Sequence, residues 1–305
     1  MKTFSTIKYW AIALSVAVFS FSCSDEDDPN IMPEDEVVNF EDELLAGFIR
    51  TDLKIGANND ITVGELLKLT ELNIANTQVA SLAGLEKATN LEVLNANLTN
   101  VENLTPVANL TKLKELYLMN LNLQGQGAAI LDFVQNLNAL EILDLRETPT
   151  TDISRLAGKS SLKHLNLRQS FVSDLSPLTG MTQFEYLNFN RCGNIKDITP
   201  LNGMVNLYYL SLRNAEVGDE QFKQFSQYTK LVESNIRNTG ITDITPLVAV
   251  FEAGGFTQAL SDQFQNKISL DLQNNQISNP CVIEQWVDQF PAGELEGWDA
   301  ASCTD

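Results

Sequence analysis

Four arginines recur at one position of a periodic pattern in the middle of the chain, and their spacing is the first hint of chemistry. They are Arg146, Arg168, Arg213 and Arg237. A guanidinium group binds carboxylates in bidentate fashion, and arginine and tyrosine are both over-represented in binding hot spots. The chain carries a formal net charge of −20, so an aligned row of arginines is unusual within it. The row indicates a surface for an acidic or carboxylate-rich partner.

Tyrosines and a histidine occupy nearby positions of the same pattern. The predicted contact residues are Tyr117, Arg146, His164, Arg168, Tyr186, Asn188, Arg191, Tyr209, Arg213 and Arg237. An alternative remains open, because exposed strand positions must be polar in any case. On that view an arginine beside Asp144 or Glu233 only neutralises local charge.

Signals for catalysis are lacking in the sequence. His164 is the only histidine, so a histidine-based triad has one candidate centre and a cluster of histidine metal ligands cannot form. No glycine-rich loop of the kind that holds phosphate groups occurs. A hydrolase would need a deep pocket with paired carboxylates. We therefore expect no enzymatic activity, no cofactor and no metal site.

The elements that position these residues are repeats. The stretch from Leu162 to Gln183 places leucine at 162, 165 and 167, valine at 172, leucine at 175 and 178, and methionine at 181. The same template starts at 69, 91, 113, 140, 162, 184, 207, 231 and 267. Self-similarity at this period with L-x-x-L-x-L spacing is typical of a leucine-rich repeat solenoid.

In the first half of each repeat, apolar and polar residues alternate as they do in a strand with one buried face. The second half contains a proline in several repeats, which favours a turn. The predicted fold is an α/β leucine-rich repeat solenoid. A curved parallel sheet lies on its concave side, 3₁₀ turns and short helices lie on its convex side, and a helical cap covers its N-terminal end. Three repeats are longer than the template, and the extra residues predict helices. Segment 125–137 predicts an α-helix on the convex side, and segment 220–228 predicts another. The insertion 248–266 predicts two short helices around Gly254-Gly255.

The N-terminus has the pattern of a secretory signal. Lys2 and Lys8 precede an apolar run that ends at Cys23, and this placement resembles a bacterial lipoprotein signal in which the cysteine is acylated. The acidic stretch 24–36 predicts an extended tether and resembles the surface-export signal of Bacteroidetes lipoproteins. Together these resemblances imply a lipid anchor in the bacterial outer membrane, with the protein exposed at the surface. The acidic balance argues against binding to nucleic acid.

Five segments follow from these patterns. They are a signal peptide at 1–22, a disordered acidic tether at 23–37, a helical cap at 38–68, about nine leucine-rich repeats at 69–280 and a C-terminal cap at 281–305. In an exported protein, Cys281 and Cys303 favour a disulfide within the last segment. Cys192 lies in a column of threonine and serine residues that bond the backbone, so it is interpreted as a structural thiol.

The sequence resembles bacterial leucine-rich repeat proteins of the internalin-like class in four places. These are the N-terminal cap, "DITVGELLKLTEL", "SLAGLEKATNLEVL" and the repeated "DITPL". The resemblance covers roughly residues 38 to 280 and implies binding of a protein or peptide partner through the concave face. Two alternatives stay open. The protein could be a glycan-binding accessory lipoprotein, because tyrosine rings beside Asn and Asp side chains suit the binding of sugars. It could also be an envelope scaffold without a specific ligand.

Overall fold

A single open sheet of ten parallel strands forms the centre of the computed structural model, which describes residues 33–123, 130–192 and 195–303. The strands are β1 Glu71–Asn73, β2 Val93–Asn95, β3 Glu115–Tyr117, β4 Ile142–Asp144, β5 His164–Asn166, β6 Tyr186–Asn188, β7 Tyr209–Ser211, β8 Glu233–Asn235, β9 Ser269–Asp271 and β10 Leu295–Glu296. They pair in chain order, without crossovers. The first nine each begin two residues after a template start, so the predicted solenoid and its phase are confirmed.

The core is one continuous cluster that runs along the sheet. Each strand turns its central side chain inward, as Leu165 of β5 does, and this leucine is 0% exposed. Its partners in the neighbouring strands are Leu143 and Leu187. Strand β8 has Ser234 in this place, and the buried hydroxyl donates a hydrogen bond to Leu210 O at 3.0 Å. The stack therefore tolerates a polar residue where the backbone of the previous repeat satisfies it.

Short 3₁₀ helices lie between the strands of the repeats and in both terminal segments. They are Pro33–Asp35, Leu85–Lys87, Thr105–Val107, Ser154–Leu156, Ser176–Leu178, Thr199–Leu201, Lys223–Gln227, Pro280–Gln289 and Ala300–Cys303. Proline stands in the first turn of three of the repeat helices, those beginning at Thr105, Ser176 and Thr199. Its fixed φ suits a helix start, and its missing N–H has no partner to lose there.

Five short α-helices complete the described elements. They are α1 Glu43–Leu53, α2 Val63–Leu66, α3 Gly218–Phe222, α4 Pro246–Glu252 and α5 Gln258–Phe264. The insertion thus contains two helices, as predicted. The segment 220–228 is only partly α-helical, because α3 passes into the 3₁₀ helix Lys223–Gln227.

The predicted α-helix at 125–137 needs correction. Residues 125–129 lie outside the described residues, and 130–134 form a 3₁₀ helix followed by a turn. Ile130, Leu131 and Val134 are buried all the same. Apolar residues three or four apart face one side in both kinds of helix, so the spacing could not separate them.

One position of every repeat has a left-handed backbone. It comes five residues after the first residue of each of the first nine strands and holds Asn76, Leu98, Asn120, Glu147, Gln169, Arg191, Asn214, Asn238 and Asn274, with φ between 55° and 69°. Asparagine tolerates this conformation because its short polar side chain bonds locally, whereas most L-residues are strained there. Leucine, glutamate, glutamine and arginine therefore occupy this position at an energetic cost.

Replacing Leu98 with asparagine is expected to stabilise the protein. The leucine has φ 57° and its side chain is 38% exposed, so little buried contact is lost. We expect the free energy of unfolding to rise by about 0.5–1 kcal/mol. Urea denaturation of the variant measures this, and Asn76→Leu, the reverse change at the same position of the first repeat, should lower stability.

At the N-terminal end, α1 packs on the first repeat. Leu45 and Ile49 are 0% exposed within the common core. Asp42 caps the helix by accepting a hydrogen bond from Leu44 N at 2.9 Å, and its other oxygen accepts from Ala80 N at 2.7 Å. The same carboxylate therefore joins the helix to the first turn of the solenoid.

At the C-terminal end, the tail adds a strand that the repeat pattern did not predict. Strand β10 pairs with β9 through Leu295 and Glu296. Phe251 of α4 stacks on Trp286, with ring centroids 5.3 Å apart. Cys281 and Cys303 form a disulfide, with Cα atoms 5.2 Å apart. These contacts cover the apolar end of the last repeat.

Candidate binding face

The outward side chains of the strands form what we call the concave face. Strand alternation places the first and third residue of each strand on it, while the second enters the core. Parallel register then sets equivalent residues side by side, so His164, Tyr186 and Tyr209 occupy three adjacent strands. The sequence template therefore predicted these neighbours correctly.

Five aromatic side chains meet on this face, and we call them the aromatic cluster: His164, Tyr186, Tyr208, Tyr209 and Phe264. Tyr186 and Tyr209 stack with centroids 4.1 Å apart and an interplanar angle of 14°. The His164 ring lies 5.8 Å from Tyr186 and 5.9 Å from Tyr208. Tyr208 stacks on Phe264 at 4.6 Å. Helix α5 of the insertion therefore contributes directly to the face.

Tyr208 and Phe264 were not among the predicted contact residues. Tyr208 lies one residue before its strand, in a column that holds Glu141, Lys163 and Glu185 in the preceding repeats. An aromatic residue in that charged column was the available signal. Phe264 has no equivalent position, because the insertion has no repeat partner. Its place beside Tyr208 depends on how α5 packs, which spacing does not encode.

A cavity of about 220 Å³ opens beside the cluster. Its wall is formed by Tyr117, Ile142, Leu143, Asp144, His164, Asn166, Tyr186 and Tyr208. The wall thus combines aromatic surface with a carboxylate and a carboxamide. Tyr117, which the sequence placed farther toward the N-terminus, reaches this cavity and donates a hydrogen bond to Glu115 at 2.7 Å.

Burial sets the protonation of these rings. It raises the pKa of Tyr208 to about 12, with a further contribution from Tyr186 and Glu185. Burial also raises the pKa values of Tyr186 and Tyr209, so all three phenols stay neutral. The pKa of His164 is lowered by burial, although the Glu185 carboxylate 3.8 Å away opposes this. A neutral imidazole leaves the cluster without a positive charge at neutral pH.

Asn188 supports the tyrosines from beneath. It is 5% exposed, and its Nδ2 donates to both Tyr186 Oη and Tyr209 Oη at 3.3 Å. The residue belongs to the predicted set, but its place in the structure is that of a positioning group. Little of its surface is left for a ligand.

The four aligned arginines differ in their pairing. Arg146 binds Asp144 of its own strand, with Nε 2.8 Å from Oδ2 and Nη2 2.6 Å from the same oxygen. Arg237 lies 3.9 Å from Asp271. Within the described residues, Arg168 and Arg213 have no carboxylate within 4.0 Å. The charge-neutralising interpretation therefore holds for the outer pair and does not explain the inner pair.

Arg191 lies at the left-handed position that follows β6, with φ 63°. Its side chain is exposed, and Nη1 donates to Gln169 Oε1 at 3.4 Å. Backbone bonds continue past the strands here: Arg191 N donates to Arg213 O at 2.9 Å. The arginines of neighbouring repeats are thus held in lateral register.

The cysteines have structural environments. Cys192 is 0% exposed, and its thiol donates to Leu167 O at 3.0 Å and contacts Ser170 Oγ at 3.4 Å. Burial raises its pKa, which disfavours the reactive thiolate. Cys281 and Cys303 are joined, as described above. Cys23 lies outside the described residues.

Two other kinds of site are absent from the described residues. Across the described ranges, no group of three or more His, Cys, Asp or Glu side chains could hold a metal ion. None of the helices in the described part of the chain is long and apolar enough to cross a membrane.

Comparison with solved structures finds similar proteins. An internalin (InlF) from Listeria monocytogenes strain 4b F2365 has 30% identity and a TM-score of 0.63, over 80% of this chain and 73% of that one. Internalin C2 of the same strain has 27% identity and a TM-score of 0.63, over 77% of this chain and 94% of that one. A leucine-rich repeat protein of Leptospira interrogans shares the fold, with 20% identity and a TM-score of 0.53. The match covers 70% of this chain and 57% of that one.

No protein-family model matches the sequence, and no curated protein matches it. The likeness to the Listeria internalins nevertheless places the chain in a defined class. It belongs to the internalin-like leucine-rich repeat proteins of bacteria. This likeness indicates a binding or protein-interaction role.

Proposed function

We propose that the protein is a non-enzymatic, lipid-anchored receptor of the bacterial outer membrane that faces outward and binds a protein or peptide through its concave face. The observation that carries this proposal is the aromatic cluster. Its five rings come from three consecutive repeats and the insertion, and all are only partly buried. A binder gains from such a surface, whereas a scaffold without a ligand has no need of one.

Aromatic side chains suit this role for physical reasons. Tyrosine offers a large apolar ring with a polar tip and loses little conformational entropy when it is immobilised. Tyr186 and Tyr209 are already held by stacking and by Asn188. A partner therefore meets a preorganised surface, and the cost of ordering these side chains on binding is small.

A pull-down tests the proposal. The chain, purified in mild detergent with its N-terminal segment retained, is used to capture partners from host or microbial-community extracts. Replacing Tyr186 and Tyr208 with alanine should weaken capture of the specific partner at least tenfold. Leu44→Ala is the matched control, because that leucine is 51% exposed on α1, away from the face. If the control and the tyrosine variant capture the partner equally well, the partner does not bind on the concave face, and the proposal is wrong.

A glycan is the second candidate ligand. The cavity of about 220 Å³ sets Tyr117, Tyr186 and Tyr208 beside Asp144 and Asn166. Sugars bind such combinations of aromatic surface and polar groups. A glycan array distinguishes the two ligands: specific binding that depends on Tyr117 and Tyr186 would favour the glycan, and its absence would favour a protein.

The proposed anchor makes a separate prediction. The apolar run before Cys23 motivates it, so Cys23→Ala should abolish acylation and shift the protein from the membrane fraction. Incorporation of labelled palmitate and fractionation measure the change. Cys192→Ala is the control, since that buried thiol should carry no lipid. Equal labelling of the Cys23→Ala variant and the unchanged chain would refute the anchor.

A further inference from the structure

Three arginines have no carboxylate partner among the described residues, and they lie in three consecutive repeats. Every other arginine of the chain has one: the pairs are Arg50–Glu43, Arg146–Asp144, Arg155–Asp132 and Arg237–Asp271. Within the described ranges Arg168, Arg191 and Arg213 make no ion pair. In a chain with 40 acidic and 20 basic residues, isolated arginines so close together need an explanation.

Polar side-chain atoms of these repeats also lack a hydrogen-bond partner in the part of the chain that the structure describes. The Nε atoms of Arg168 and Arg213 and the Oδ1 atom of Asn190 are buried and form no hydrogen bond with any described residue. Buried polar groups are nearly always paired, because an unpaired one has lost its hydrogen bonds to water without replacement. A carboxylate that approaches a guanidinium side-on uses Nε together with one Nη. An anion would supply the acceptor that the two Nε atoms lack once the arginine side chains turn outward to meet it, whereas Asn190 Oδ1 is itself an acceptor and needs a donor.

Backbone strain coincides with the same repeats. At the left-handed position, five of the nine repeats have asparagine and the second has Leu98, whereas the fourth, fifth and sixth have the longer polar residues Glu147, Gln169 and Arg191. The solenoid imposes this conformation in every repeat, so a long polar side chain there is held at an energetic cost. Arg191 and Gln169 contact each other, so the strained residues adjoin the unpaired arginines.

An exposed aromatic ring lies at this edge. Phe171 is 62% exposed, more than any other large apolar residue among the described residues. Together with Glu147, Thr148, Pro149 and Gln169 it borders a depression of about 320 Å³. Gln169 thus connects the ring to Arg191. We call Arg168, Gln169, Phe171, Arg191 and Arg213 the arginine edge.

We propose that the arginine edge is a docking site for an extended acidic segment of a partner protein, with an apolar side chain of that segment resting on Phe171. This inference rests on the proposed function and names the chemistry of the partner. Charge complementarity supports the choice, because the carboxylates of an acidic segment would pair with Arg168, Arg191 and Arg213 without displacing an ion pair seen among the described residues. The outer arginines, Arg146 and Arg237, stay with their aspartates.

Strand spacing predicts the pattern of acids in the partner. Arg168 and Arg213 are two strands apart, which corresponds to about 10 Å at about 4.8 Å per strand. An extended segment in the polyproline II conformation advances about 3.1 Å per residue and turns the same side outward every three residues, so its carboxylates should be about three residues apart. Arg191, at the edge between them, can meet either one.

The test uses defined peptides and no natural partner. Each peptide is extended, glycine-rich and labelled with an uncharged dye, and it carries one phenylalanine and two glutamates that are one, three or six residues apart. A matched peptide has glutamine in both places. Fluorescence anisotropy with the full chain at low salt should show the tightest binding for glutamates three residues apart, at least tenfold tighter than for the glutamine peptide. Binding should weaken as salt rises.

Variants locate the binding. Arg168→Glu with Arg213→Glu should weaken binding of the three-residue peptide at least tenfold, and Phe171→Ser should weaken it several-fold. Arg155→Glu reverses a charge on the convex side and should leave binding unchanged. If charge reversal disturbs the fold, the pair Arg168→Gln and Arg213→Gln removes the charge without introducing repulsion.

Equal affinity for the glutamate and glutamine peptides would overturn the proposal. Equal weakening by Arg155→Glu and by the double variant would do so as well. The proposed function can survive either result, because capture of a partner through Tyr186 and Tyr208 does not depend on the arginine edge.

Discussion

Replacing Leu165 with alanine is expected to lower the free energy of unfolding by about 2–5 kcal/mol. The side chain is 0% exposed and lies between Leu143 and Leu187 of the neighbouring strands. Removing it leaves a cavity that the rigid stack cannot close, because each repeat is held on both sides by its neighbours. The midpoint of urea denaturation, followed by circular dichroism, measures the loss.

Lys163→Ala is the matched control for this prediction. Lys163 is the adjacent residue, and its exposed Nζ pairs with Glu141 at 3.0 Å. Removal of such a surface pair should change stability by no more than about 0.5 kcal/mol. If the two variants shift the midpoint equally, the inward phase of the strands is wrong.

Removing the disulfide is the second large change that we expect. Replacing Cys281 and Cys303 with serine removes a cross-link between residues that are 22 positions apart in the sequence. From the chain entropy of the unfolded state, we expect the free energy of unfolding to fall by about 3 kcal/mol. The effect should concentrate at the C-terminal end, because the loop includes Trp286 and strand β10. Differential scanning calorimetry of the variant and of the unchanged chain measures the loss.

Thiol counting provides the control for the disulfide. In the denatured, unreduced protein, alkylation and mass spectrometry should find Cys192 free and Cys281 and Cys303 protected. Cys192→Ser should leave both of these protected. Alkylation of Cys281 and Cys303 in the exported, oxidised protein would contradict the bridge.

The strand positions were predictable because the repeat leaves little freedom. The leucines at equivalent positions of successive repeats must all face the core. Because these leucines recur at the same interval, the pairing of β4 with β5 and of β5 with β6 follows from their spacing. The proline-containing turns were equally well determined, since the fixed φ of proline suits the start of a 3₁₀ helix. Local chemistry and stacking agree in these parts of the chain.

Other features depend on contacts between segments that the template does not relate. Strand β10 has no repeat signature, and it forms because β9 offers an open edge. Phe264 reaches Tyr208 only through the packing of α5. The sequence placed Asp144 two residues before Arg146, and the structure pairs these two residues. It named Glu233 as the neighbour of Arg237, whereas the partner in the structure is Asp271, which the pairing of β8 with β9 brings alongside across the insertion.

Photo-crosslinking tests the central claim most directly, namely that the partner binds on the concave face of the central repeats. A benzoylphenylalanine residue is placed at position 166, beside the cavity, or at position 155 on the convex side. After irradiation with captured partner, we expect a covalent adduct from position 166 and none from position 155. An adduct from position 155 alone would place the partner on the convex side and contradict the account.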